Sequence, residues 1–254
     1  MTTPVLGVLF GLAGLVVGVA LTLCADFLPP ASLGGVSARC PACGERRPLH
    51  QVLPLIGYLW TRGRCGHCGA SMPLRPLLVE LTAAVLFGCL AWRLGLGAPL
   101  GVYLFYSSVL VTVFVIDVER QLILNTISYP AIVAAFGLSW LLPELGPLRS
   151  AVGGAFGGIT LVLPFIVYRG KGLFGLGDVI LGVLVGLMVG WPVIVFVLLL
   201  SAVGAAAVAV FLLCFRGRKG TDVIPFGPFL AAATVLSFFC GEVVSRWWLS
   251  CVPW

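Results

Sequence analysis

The chain has 254 residues, of which 60% are hydrophobic and only 9% charged, and a formal net charge of +6. A soluble domain carries about 25% charged residues, so this composition excludes an ordinary soluble core and points to an integral membrane protein. The thirteen Arg and two Lys are scattered over short loops, which excludes the clustered basic face that a nucleic acid requires.

Residues 4–28 form the first apolar run, with no Lys or Arg before it. A secretory signal peptide has a basic start, so this run reads as a retained first span. A basic segment rich in Pro, Gly, Cys and Arg follows, residues 29–76, the only sizeable polar piece. Apolar runs then recur at 77–94, 99–116, 126–145, 150–168, 178–190, 192–215 and 226–249. With about 17–25 residues needed to cross a bilayer as a helix, the expected fold is an all-α polytopic membrane protein of about eight transmembrane helices with a small cytoplasmic loop domain. The run 178–190 is short and contains three glycines, so it is tilted, thins the bilayer or continues through Trp191-Pro192. The pairs Gly153-Gly154 and Gly157-Gly158 suggest close helix–helix packing.

Orientation follows from the basic residues. Placing the loop 29–76 in the cytoplasm puts twelve Arg and Lys on that side and leaves Arg93, Arg149 and Arg246 on the other. Both termini are then expected outside. The expected division is a first helix (1–28), a cytoplasmic loop domain (29–76) and a membrane core (77–254).

Within the loop lie Cys40-Pro-Ala-Cys43-Gly and Cys65-Gly-His-Cys68-Gly. Two C-x-x-C pairs fit a tetrahedral four-thiolate zinc site. Gly44 and Gly69 allow the tight turns that aim backbone N–H groups at sulfur, and Arg39, Arg46, Arg47 and Arg64 offset the thiolate charge. The alternative is two disulfides, which are rare in a reducing cytoplasm. His67 offers an alternative ligand, but a bystander role is expected for it. A site closed by four protein ligands is structural, not catalytic. The other cysteines have no metal spacing and read as small buried hydrophobes.

Two carboxylates stand at span ends on the same side. Asp117 follows the run 99–116, and Asp178 opens the run after Gly175-Leu-Gly. An ionisable residue at the edge of a membrane segment is a functional candidate. Carboxylates brought together in a poorly solvated place share a proton and suit peptide hydrolysis. The competing readings are helix capping by Asp178 and ion pairs with Arg120 or Lys171. Asp222 reads as a solvated loop residue and Asp26 as a cap on the first span.

Several motifs together resemble one family. Arg39-Cys-Pro-Ala-Cys43-Gly, Pro54-Leu-Ile-Gly-Tyr-Leu59, Arg62-Gly-Arg64-Cys65, Arg75-Pro-Leu-Leu-Val-Glu80-Leu, Asp117-Val-Glu-Arg-Gln-Leu-Ile, Gly175-Leu-Gly-Asp178 and Ile224-Pro-Phe-Gly-Pro-Phe229-Leu are similar, in order and spacing, to motifs of the type IV prepilin peptidases. These are bacterial membrane aspartic proteases of the Gly-x-Gly-Asp class. The resemblance implies an inner-membrane enzyme that cuts the basic leader from prepilins or pseudopilins after a glycine on the cytoplasmic face. Many members then methylate the new amino terminus with S-adenosylmethionine. It further implies Asp117 and Asp178 as the catalytic pair, and Cys40, Cys43, Cys65 and Cys68 as zinc ligands. Glu80 is a candidate for the methyl-transfer site; the competing readings are an ion pair with Arg75 or a helix cap. Leu124 stands where the family usually has Pro and Ile180 where it usually has Lys. Gly18-Val-Ala-Leu-Thr-Leu-Cys24 replaces the polar residues usual in the first span. The rival expectations are a non-catalytic scaffold or transporter with a zinc docking loop, and a related protease that cuts within membrane spans.

Overall fold

In the computed structural model of the protein the described residues are 3–28, 40, 42–44, 58, 61–71, 73–167, 175–216 and 225–251. They form the helices α1 (Thr3–Phe27), α2 (Arg75–Leu94), α3 (Ala98–Arg120), α4 (Asn125–Leu138), α5 (Gly146–Val167), α6 (Leu176–Val189), α7 (Val193–Arg216) and α8 (Gly227–Cys251). Arg39, Arg46, Arg47, Arg169, Lys171, Asp222 and Ile224, singled out from the sequence, lie outside the described residues.

All eight apolar runs become helices, but only α1, α2, α3, α5, α7 and α8 are long and apolar enough to cross a bilayer. The expected eight spans are thus six long helices and two short ones. Helices α4 and α6 have 14 residues each, about 21 Å at 1.5 Å per residue, against a hydrocarbon core about 30 Å thick. The run 126–145 fails to continue for a local reason. A 3-10 turn at Ser139–Leu141 leads to Leu142, which is extended (φ −109°, ψ 96°). Leu142 precedes Pro143, whose ring disfavours helical backbone in the residue before it. Helix α6 stops at Gly190, whose φ of +68° is a left-handed conformation that glycine adopts at little cost.

The chain forms two compact units, Met1–Thr112 and Val113–Trp254, the division falling within α3. In the first unit α1 packs on α2 through a face of small residues. A Cβ added at Gly14 would sit 2.6 Å from the Ala83 carbonyl, and one at Gly18 2.6 Å from Glu80 Cα. Gly7 and Gly88 meet in the same way further along. Without a hydrophobic drive between helices in lipid, such close backbone approach is what holds a pair together. Asp26, 1% exposed at its side chain, forms an ion pair with Arg75 at the end of this helix pair. The expected cap on the first span is instead a cross-helix salt bridge.

In the second unit α6 is the central helix, packed against α4, α5, α7 and α8. Val179, Leu181, Leu184, Val185, Leu187 and Met188 are all buried, and a helix apolar all round is a buried one. The glycine pairs of α5 do what the sequence suggests. Gly153 and Gly157 lie against Gly186 and Gly182 so closely that a Cβ at any of these positions would overlap backbone of the facing helix. Ser150 Oγ donates a hydrogen bond across the pair to the Leu187 carbonyl at 2.8 Å. This contact fixes α6, and with it Asp178 in its first turn.

Candidate active site and metal centre

Both candidate aspartates belong to the second unit. Asp117 lies in the last turn of α3 and is 4% exposed, while the neighbouring Val118 and Glu119 face outward. The helix ends because Gln121 turns left-handed at φ +50°, its N–H still bonded to the Asp117 carbonyl at 2.9 Å. The chain then runs through Ile123 and Leu124 into α4. Leu124 caps α4 at φ −78°, within the range to which proline is locked, so this Leu keeps the φ that proline would impose.

Asp178 is the third residue of α6. Its Oδ2 accepts a hydrogen bond from the Gly175 N–H at 3.0 Å, so it does cap its own helix. That bond fixes the carboxylate's orientation, and capping does not exclude a chemical role. Gly177 is needed here for a close approach: a Cβ there would be 2.8 Å from Ile123 Cβ. This contact clamps the segment after Asp117 onto the loop before Asp178. The two carboxylates are thereby close enough for the charge of Asp178 to bear on Asp117.

A third element completes the surroundings. Gly227, the first residue of α8, lies directly against the Asp117 carboxylate, and a Cβ at 227 would overlap Oδ2. The Gly227 N–H bears on the same carboxylate, and a helix amino terminus is a favourable place for negative charge. Asp117 Oδ2 is nonetheless buried without a hydrogen-bond partner among the described residues. Buried polar atoms are normally satisfied, so an oxygen left open in this way is available to a water or a substrate atom. Ile180 packs one turn into α6, half-buried. Neither Gly227 nor the Gly177–Ile123 contact could be derived from residue types alone. The only signal was glycine beside each aspartate-bearing or helix-entry motif.

Glu80 lies in the first unit, on α2, 2% exposed and packed beneath Gly18 of α1. Thr22 is buried nearby on α1, its hydroxyl donating to the Gly18 carbonyl at 3.0 Å.

The four cysteines come together in the first unit. The Sγ atoms of Cys40, Cys43, Cys65 and Cys68 all lie within 4.8 Å of one another, and Cys40 and Cys68 are 3.7 Å apart. Tetrahedral zinc with Zn–S bonds of about 2.3 Å needs sulfurs about 3.8 Å apart, so the donor set fits. All four are free thiols, and the disulfide alternative is not realised. Gly44 (φ +70°) and Gly69 (φ +72°) close the two turns, their N–H groups bonded to the carbonyls of Cys40 and Cys65 at 2.9 Å each. The Cys40 thiol is lowered to about 6, chiefly by the backbone N–H groups of Cys43 and Ala42. Cys65 is lowered by those of Cys68 and His67. Thiolates are the metal-binding form. His67 is exposed and stands outside this donor set, as a bystander would.

The architecture is that of an all-helical polytopic membrane protein with a buried aspartate, Asp117, a half-buried one, Asp178, and four cysteines placed to hold a metal ion. Comparison with known families agrees. The family model described as "Bacterial Peptidase A24 N-terminal domain" matches residues 12–94, and that described as "Type IV leader peptidase family" matches residues 104–213. A protein of Aeromonas salmonicida named "Prepilin leader peptidase/N-methyltransferase" is 33% identical over 217 residues, covering 84% of this chain and 74% of that protein. Proteins of the same name from Pseudomonas aeruginosa and Pseudomonas putida are 32% and 35% identical. They cover 84% and 82% of this chain, and 74% and 73% of their own lengths. No solved structure matches the chain. The chain belongs to the type IV leader peptidase family.

Proposed function

We propose that this chain is a membrane-embedded aspartic endopeptidase that removes the basic leader of type IV prepilins or pseudopilins, with Asp117 and Asp178 as its catalytic pair. The observation that carries the reading is the buried Asp117 carboxylate, with one open oxygen, within electrostatic reach of Asp178. In this reading the two carboxylates share one proton in the active form. The charged member takes a proton from water as the water oxygen attacks the scissile carbonyl carbon. The neutral member gives its proton to the carbonyl oxygen. The tetrahedral diol then collapses, the C–N bond breaks, and a proton passes to the departing amine. The Gly175 N–H holds Asp178 in place through the cycle, and the Gly227 edge of α8 holds Asp117.

The four thiolates hold zinc in this reading. Zinc bound by four protein ligands has no open position for substrate, so it folds the loop 29–76 and leaves hydrolysis to the aspartates. The relatives' names include N-methyltransferase, and we extend that activity to this chain with S-adenosylmethionine as methyl donor and Glu80 as a residue of its site. The substrate is a protein with a single transmembrane helix and a basic leader, presented from the cytoplasmic face of the bacterial inner membrane. The bilayer positions the cut. Both termini of this chain then lie outside. The scaffold reading, motivated by Leu124 and Ile180, is not favoured by the likeness to leader peptidases.

Mass spectrometry of a co-expressed prepilin's amino terminus tests the proposal. The parent chain yields a shortened, methylated terminus. Asp117→Asn and Asp178→Asn each yield the intact leader, and full processing by both variants rules the pair out. Cleavage without methylation by a Glu80→Gln variant supports the separate role given to Glu80. Normal methylation by that variant removes it.

A further inference from the structure

A cavity of about 580 Å³ lies in the second unit away from the aspartates and is lined by Arg149, Phe156, Trp191, Ser245 and Trp248, among others. Its place follows from the helices. Asp178 lies in the first turn of α6, and Trp191 follows the other end of this helix, which is about 21 Å long at 1.5 Å per residue over 14 residues. Asp117 ends α3 and Gly227 begins α8, whereas Ser245 and Trp248 are near the end of α8. The cavity thus belongs to the opposite end of the unit.

Its wall is a built aromatic corner. The Trp191 N–H bonds to the Arg149 carbonyl at 3.0 Å, tying the α6–α7 link to the start of α5. Trp191 stands edge-to-face with Phe156 (centroids 5.3 Å) and with Trp248 (5.7 Å). Two polar groups are left over in it. The Trp248 indole N–H is buried and has no acceptor among the described residues, a state that costs free energy unless something supplies one. Among the described residues Arg149 donates one bond, to the Glu144 carbonyl at 3.2 Å, of the five its guanidinium offers. Among the described residues no carboxylate lines the cavity. The other cation near this end of α8, Arg246, is paired with Glu242 at 3.8 Å.

A cavity offering a guanidinium, an indole N–H and aromatic walls wants a partner that is anionic, accepts hydrogen bonds and has an apolar part. We propose that it binds the phosphate headgroup of an anionic phospholipid, with Arg149 and Trp248 Nε1 on the phosphate oxygens and the upper acyl carbons along Val152 and Phe156. These last two are 44% and 37% exposed, on the flank of a helix long and apolar enough to span the bilayer. Tryptophan is enriched at the headgroup level of membranes, where one end of the ring is dry and the other wet. A free phosphate would use the two donors and leave the apolar flank idle, so the lipid is the occupant the whole cavity fits. Bound there, one lipid joins the starts of α5 and α7 to the end of α8 and leaves the aspartates untouched.

Native mass spectrometry of the full chain in detergent tests this, with phosphatidylglycerol and phosphatidylcholine of identical acyl chains as probes. One guanidinium near an anionic headgroup contributes about 1 kcal/mol, so the parent should retain phosphatidylglycerol about five-fold better. Arg149→Gln and Trp248→Phe should each bring that preference close to one, Arg149→Lys should keep most of it, and Arg246→Gln should leave it unchanged. Leader cleavage at the parental rate confirms that each variant is folded. An excess of inorganic phosphate should not displace the lipid. The proposal is overturned if the parent shows no preference, if Arg149→Gln or Trp248→Phe keeps it, or if inorganic phosphate empties the site.

Discussion

Gly227 and Gly177 decide where the two carboxylates stand, although neither carries chemistry. A methyl group at 227 would overlap the Asp117 carboxylate, so Gly227→Ala should push Asp117 out of register. Small misplacements of reacting groups cost up to about 100-fold in rate, and a loss of that order in kcat is expected, with KM little changed and the protein still folded. At 177 the obstacle is Ile123, 2.8 Å from an added Cβ. Gly177→Ala should therefore lose activity, and Ile123→Ala in the same chain should restore part of it, since contacting residues couple. Leader-cleavage kinetics of the two single variants and the double variant check this, and strict additivity would contradict the contact. The aspartates and cysteines were legible in the sequence because their residue types are costly in or beside apolar runs and their spacing is specific. The partners of Asp26 and Asp117 were not. Ion pairing to Arg75 and contact with Gly227 depend on which helices adjoin, and residue types alone do not state that.

At the scale of elements, the glycine pairs of α5 predicted close packing on another helix, though not that α6 is the partner, and hydropathy predicted all eight helices. The length of α4 was the part misjudged, whereas the short sixth run, 178–190, became the short helix α6. In α4 apolar composition continues past the point where the turn before Pro143 ends the helical backbone, so a count of hydrophobic residues overstates the span. The same glycines make a testable element. Gly186→Leu forces a branched side chain into the Gly153 backbone, and overpacking of this kind costs about 1–3 kcal/mol or more. Thermal unfolding in detergent should show a clear loss of stability and, because α6 carries Asp178, a parallel loss of cleavage. In the first unit's ion pair, Asp26→Asn would remove the carboxylate that faces Arg75. Removing one partner of a buried pair costs about 3–5 kcal/mol. Arg75 is 16% exposed at its side chain, so a loss near or below the lower figure is expected in the same assay.

For the molecule as a whole, the metal site and the aspartate pair are assigned separate tasks, folding and chemistry. Elemental analysis should find one zinc per chain. Cys40→Ser or Cys65→Ser should abolish it and expose the loop 29–76 to protease, while far-ultraviolet circular dichroism of the membrane helices stays largely as in the parent. Loss of helical signal together with zinc would contradict that separation. The central claim is that Asp117 and Asp178 work as one unit. Residues that do so are non-additive: removing either costs about as much as removing both. The direct measurement is the cleavage rate of a purified prepilin by Asp117→Asn, Asp178→Asn and the double variant. The account predicts that each single variant loses at least about a thousand-fold, the order seen when a member of a catalytic unit is removed, and that the double variant is no worse. A single variant that still cleaves at close to the parental rate, or a double variant slower by the product of the two single losses, would contradict it.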